Sequence, residues 1–182
     1  MNKKESIISA ALELLVENGI HATPMSAIAK SANTGMGTIY NYFPNKEILI
    51  NAIYVIIKQK EESILLNAPK EGSIKAQFEQ YYRIVTDFYL DNPLYFKFIQ
   101  QLQSSPIITK ESKKEGYKAV ESVIQLLKDG QEAGLVKEIK IEELLQFLGG
   151  AIISYLRWVT TYEINNSSIN NQLRLVWDAI KK

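Results

Sequence analysis

"TPMSAIAKSANTGMGTIYNYFPNKEIL", residues 23–49, decides how this chain is read. Thr is a favoured helix cap, and Pro24 suits a first turn, where its missing N–H is not needed. A short helix is therefore expected to end near Ala32-Asn33, with Met25, Ile28 and Ala29 turned inward. Asn33 tolerates the left-handed backbone of a tight turn, and Gly35 then starts a second short helix through Tyr42. Two helices joined by three or four residues form a helix-turn-helix. The second helix holds two tyrosines and is followed by Phe43, in a stretch too short for much core, so some of these aromatics must reach outward.

Helical spacing continues on both sides. Upstream, Ile8, Leu12, Leu15 and Val16 recur with Ile7, Ala11 and Leu14 beside them, until Asn18-Gly19 supplies a stop. Downstream, residues 46–66 read as one amphipathic helix with Ile48, Leu49, Ala52, Ile53, Ile56 and Ile57 on its apolar side. "NAPKEGS", 67–73, breaks it. The remainder predicts helices over 74–90, 93–104, 107–132, 141–163 and 168–181. Their punctuation is Asp91-Asn92-Pro93, Ser104-Ser105-Pro106, Gly134 and the polar run at 165–171. No stretch keeps a period of two, and there is no internal repeat. The expected architecture is all-α: a helix-turn-helix head over 1–46 and a larger helical body over 47–182.

Composition narrows the function. With 182 residues, 46% of them hydrophobic, the chain can bury a substantial core. Lys and Arg number 21 against 20 Asp and Glu, so any nucleic-acid face must be local. The absence of cysteine removes disulfides, thiolate catalysis and zinc-thiolate sites, and suits a reducing cytosol. Glu5, Glu13 and Glu17 interrupt the first apolar run, which does not read as a signal peptide. No run approaches the ~18–20 apolar residues of a membrane span, so a cytoplasmic protein with no membrane partner is expected. The only histidine is His21, and no Glu-x-x-His pair exists. Di-iron, zinc and histidine-based nucleophilic sites lack their residues, so neither enzyme, metal nor cofactor is expected.

Residues 23–49 closely resemble the helix-turn-helix signature of the TetR family of one-component transcriptional regulators. The Thr, the Ile-Ala pair, the turn, Gly-Thr-Ile-Tyr-x-Tyr-Phe and the Lys-Glu pair that opens the next helix are all in register. "DGQEAGLV", 129–136, is similar as well. A recognition helix in the major groove offers base edges only a few side chains, while phosphate contacts set its register. The resemblance implies phosphate contacts from Thr23, Tyr40, Tyr42 and Lys46, aided by the N-terminal dipole of the fourth helix. It implies base contacts from Met36, Gly37, Thr38 and Asn41, with Ile39 and Phe43 turned inward. Met36 stands where the family often has Lys or Arg, which predicts weaker non-specific binding and an A·T-leaning site. Gly35 stands where it often has Ser. Residues 1–46 carry four Lys against three Glu, so the head is only weakly basic.

All but four of the aromatic residues lie from Phe78 onward. The resemblance implies a body cavity for a small hydrophobic effector, with Tyr82, Phe88, Tyr89, Phe96, Tyr117, Tyr155, Arg157 and Trp158 as candidate lining. Asp87 and Arg157 stand out as polar groups in apolar segments, which need partners if buried. The resemblance also implies a homodimer through the last two helices, with Leu145, Leu148, Gly149, Ile152, Leu173, Val176 and Trp177 as candidate contacts. Gly149-Gly150 would let another backbone come close. The function implied is a homodimeric repressor of double-stranded operator DNA released by its effector. Activation, or a helical adaptor that binds only proteins, is the alternative.

Overall fold

The computed structural model describes residues 2–103, 105–162 and 168–182. Ser104, residue 163 and the first part of the 165–171 run lie outside them. The chain folds into helices whose ends follow local chemistry. Asn2 opens α1 (Lys3–Asn18) through a capping box: its side chain accepts the Glu5 N–H, and the Glu5 carboxylate accepts the Asn2 N–H, each at 2.9 Å. Gly19, at φ 87°, stops the helix.

The next helix, α2 (Met25–Ser31), corrects the expected cap. Pro24 is the cap residue, and the Thr23 hydroxyl points elsewhere. Asn33 adopts φ 48° in the turn, and Gly35 caps α3 (Met36–Tyr42). Asn45 starts α4 (Lys46–Leu66) by accepting the Ile48 N–H at 2.8 Å. This helix buries Leu49, Ile50, Ile53 and Ile57, while Ile48 is exposed, so the buried face differs at Ile48 and Ile50 from the expected one.

Pro93 begins α6 (Pro93–Leu102) directly after α5 (Ile74–Asp91). The expected helix over 107–132 is instead α7 (Lys110–Tyr117), a 3₁₀ turn at Lys118–Val120 and α8 (Glu121–Glu132). The long α9 (Ile141–Tyr162) and α10 (Ser168–Ile180) complete the chain. Among the described residues there is no strand, only an isolated antiparallel bridge between Val136 and Lys181. None of the described helices is long and apolar enough to cross a membrane.

Packing divides the chain into two units, with one division inside α4. The first unit runs up to Lys60 and adds Asn92–Tyr117, so α6 and α7 join α1–α3. There α1 packs against α2 and α6. Asn51, buried on α4, donates to Ile107 O at 2.9 Å and accepts the Thr109 N–H at 3.0 Å, which fixes the segment before α7.

The second unit is Glu61–Asp91 with Lys118–Lys182. Its α5 packs against α8, α9 and α10, with the Phe78 ring 5.5 Å from Trp177 and 6.2 Å from Tyr82. Gly130 permits one close approach: a Cβ there would lie 2.6 Å from Val136 Cγ2.

Candidate nucleic-acid interface

Helix α3 has only seven residues, too short to be stable alone, so packing must hold it. Ile39 and Phe43 supply that packing and are buried. The opposite side faces outward. Gly37 and Asn41, one turn apart, are exposed, as are Met36, Tyr40 and Tyr42, while Thr38 is half-buried. A Cβ on Gly37 would meet nothing within 4 Å, so folding does not require a glycine there. The eight residues expected to touch DNA are therefore not equivalent: six form one outward surface around α3, and two do not.

Those two are Thr23 and Lys46. Thr23 is 1% exposed, and its hydroxyl donates towards Leu14 O at 3.1 Å and Gly19 O at 2.9 Å. Its side chain ties the end of α1 to the segment before α2 and is not presented to a phosphate. Lys46 is half-buried and donates to His21 O and Thr23 O, both at 3.1 Å. An ammonium has three donors, so one remains for an outside acceptor. Thr23→Val keeps the shape and removes the hydroxyl. It should cost about 0.5–1.5 kcal/mol of stability and leave DNA affinity unchanged. An equal loss of affinity for every duplex, in protein that stays folded, would instead make Thr23 a phosphate contact.

The structure distributes the expected pocket residues unevenly. Tyr82, Phe88, Tyr89, Phe96 and Tyr155 are buried, and the tyrosine hydroxyls have partners. The Tyr82 oxygen accepts from Gln172 at 3.0 Å, Tyr89 donates to the buried Glu61 carboxylate at 2.7 Å, and Tyr155 pairs with Ser168 at 2.9 Å. Burial, opposed by the Gln172 hydrogen bond, pushes the Tyr82 phenol up to about 12. Tyr117, Arg157 and Trp158 are exposed, and Phe96 and Tyr117 belong to the first unit. None of the eight lines either recess found among the described residues. Asp87 is also exposed, although partial burial and nearby Asp91 hold its pKa above the usual carboxylate value.

One recess, of about 120 Å³, lies instead between α5, α8 and the end of α4. Two stripes at helical spacing face it: Gln77, Gln80 and Tyr81 on α5, and Ser122, Gln125, Leu126 and Asp129 on α8.

The expected dimer contacts divide as well. Leu148, Ile152, Leu173, Val176 and Trp177 are buried inside the single chain, and Leu145 and Gly149 are half-buried. Among the described residues no atom lies within 4 Å of a Cβ placed on Gly149 or Gly150, so no close contact there needs a glycine. The apolar residues that α9 leaves outward are Phe147, Trp158 and Tyr162.

Residues 7–53 match the family model described as bacterial regulatory proteins, tetR family, and residues 53–182 match the tetracyclin repressor-like C-terminal domain. The chain belongs to the TetR family. The Fatty acid metabolism regulator protein of Bacillus subtilis is 28% identical over 171 residues, which cover 90% of this chain and 85% of that relative. The HTH-type transcriptional regulator UidR of Escherichia coli K12 is 29% identical over 131 residues, 70% of this chain and 66% of the relative. In fold, a tetR family regulator structure from Shewanella sp. PV-4 matches with a TM-score of 0.92 over the whole of both chains, at 24% identity. This TetR-family chain is thus a transcriptional regulator by family and not an enzyme. Its α2–α3 pair lies within the matched head, where α3 carries the outward surface described above.

Proposed function

We propose that the protein is a homodimeric, cytoplasmic repressor that binds double-stranded operator DNA through α3 and leaves it when the body takes up a small effector with an apolar part. The observation that carries this reading is the outward face of α3. Its open Gly37, the Asn41 amide, the Thr38 methyl and the flanking Tyr40 and Tyr42 hydroxyls stand opposite a buried Ile39 and Phe43. Asn can make a bidentate pair with adenine, a Thr methyl can meet the methyl of thymine, and tyrosine hydroxyls suit phosphate oxygens. Met36 adds no charge, so the head gains little from non-specific attraction.

Two heads related by a two-fold axis would read half-sites about one DNA turn apart, roughly 34–36 Å, or a multiple of that spacing. The dimer contact favoured by exposure is the outward face of α9, with Phe147 and Trp158; Leu175 of α10 is exposed as well. Effector and operator must be coupled reciprocally, each weakening the other by the same factor, typically ~1–3 kcal/mol. The relative named for fatty acid metabolism makes acyl compounds one class of effector to test.

The test is fluorescence anisotropy with the upstream region of the protein's own gene and a scrambled duplex, titrated in salt. Sequence-selective binding by a dimer is expected, and Met36→Lys should raise affinity for both duplexes. Equal weak binding to both, with no site recovered from random DNA, would favour the adaptor.

A further inference from the structure

We propose that the recess between α5 and α8 is the effector site, and that it takes a compact, uncharged molecule bearing hydroxyl, carbonyl or amide groups on an apolar ring. This rests on the effector-responsive reading above and sets its ligand apart from long acyl chains. Three observations lead there.

The first is unused hydrogen-bonding capacity. Gln80, Tyr81 and Ser122 all line the recess, and among the described residues their side chains make no hydrogen bond. Gln77 and Gln125 each commit an amide hydrogen, to Gly72 O at 3.0 Å and to the Asp129 carboxylate at 2.7 Å, which leaves their amide oxygens as acceptors. Burial, and then the nearby Glu61 charge, hold the Tyr81 phenol well above its ordinary pKa, so it keeps its proton. Leu65, Ala68, Val123 and Leu126 line the same recess. The wall thus offers apolar surface together with a few donors and acceptors, the combination that orients small ligands.

The second is charge. Lys70 and Asp129 face the recess together, and in an adjoining recess of about 230 Å³ Lys70 and Lys118 are balanced by Glu62 and Glu121. Formal charge sums to zero in both, so neither wall favours an anion or a cation.

The third is size. The two recesses share Leu65, Lys70, Ser122 and Gln125. A cavity of about 150 Å³ holds one benzene, so a single ring fills the 120 Å³ recess and its small substituents extend into the adjoining 230 Å³ one. A long methylene chain laid through the smaller recess displaces water from Gln80, Tyr81 and Ser122 without replacing the hydrogen bonds.

Saturation-transfer NMR on the full chain tests this with benzamide, 4-hydroxybenzamide, benzoate and octanoate, followed by operator anisotropy with the same compounds. Both amides should bind more tightly than benzoate or octanoate. Tyr81→Phe, which removes a single oxygen, should weaken 4-hydroxybenzamide roughly three- to tenfold, and Ser122→Phe should block both amides. The proposal is overturned if neither amide binds, if benzoate or octanoate binds more tightly, or if Tyr81→Phe leaves the amides unaffected. Amides that bind and respond to both variants but leave DNA affinity unchanged would keep the recess as a ligand site and remove the effector coupling. Octanoate that releases DNA regardless of Tyr81 or Ser122 would keep effector control and remove this site.

Discussion

Phe43→Ala should lower the stability of the protein by about 3–5 kcal/mol, whereas Tyr42→Ala, one residue earlier, should change it by less than about 1 kcal/mol. The contrast follows from orientation. Phe43 is 2% exposed and closes α3 with its N–H on Ile39 O at 2.8 Å, whereas Tyr42 is 45% exposed. Truncating Phe43 removes buried apolar area and leaves a cavity beside Ile39, in a helix with little else to hold it. Against a typical total of about 5–15 kcal/mol the loss is large. Urea denaturation followed by circular dichroism reads it as a lower midpoint with an unchanged slope. In DNA binding Tyr42→Ala should weaken every sequence alike, the signature of a phosphate contact, and leave the salt slope unchanged because the hydroxyl is neutral. If Tyr42→Ala proved as destabilising as Phe43→Ala, α3 would be rotated from the orientation described, and Asn41 would lose its outward position.

The head was legible in the sequence because its signals are local. Gly19 and Asn33 stand where the backbone turns to positive φ, and the periodicity of Ile39 and Phe43 has one solution on so short a helix. What the sequence could not give was decided by partners far along the chain. Thr23 before Pro24 reads as a cap, but carbonyls at Leu14 and Gly19 take its hydroxyl. On α4 the rows 48/52/56 and 49/53/57 are both apolar, so periodicity alone cannot choose which turns inward; packing chose the second and added Ile50. The body aromatics raise a similar ambiguity: Tyr82, Tyr89 and Tyr155 suit a pocket wall or a core equally, and the structure buries them with partners such as Glu61 and Gln172.

Replacing Phe147 and Trp158 together by Glu should convert the dimer to a monomer and reduce operator affinity by about 10²–10⁴-fold, because linked heads bind a double site far more tightly than separate ones. Helix α9 carries large apolar residues on its outward face as well as its inward one, so the apolar pattern alone does not say which of them the single chain buries. The single chain consumes Leu144, Leu148, Ile152, Tyr155, Leu156 and Val159. Phe147 and Trp158 remain 42% and 45% exposed, at the spacing of one helix face, with Gly150 and Ser154 between them. Small residues between two large ones admit a second helix at close range, and two-fold symmetry would bring the same face from each copy together. Four glutamates would then crowd one apolar contact. Because both side chains project outward, the variant should keep its circular dichroism and sediment near the chain mass of 20.7 kDa. Leu148→Glu makes the opposite case: it places a charge in the core and should unfold the body. A folded double variant that remains dimeric would move the interface off this face of α9, and an intact operator affinity in a proven monomer would remove the need for paired heads.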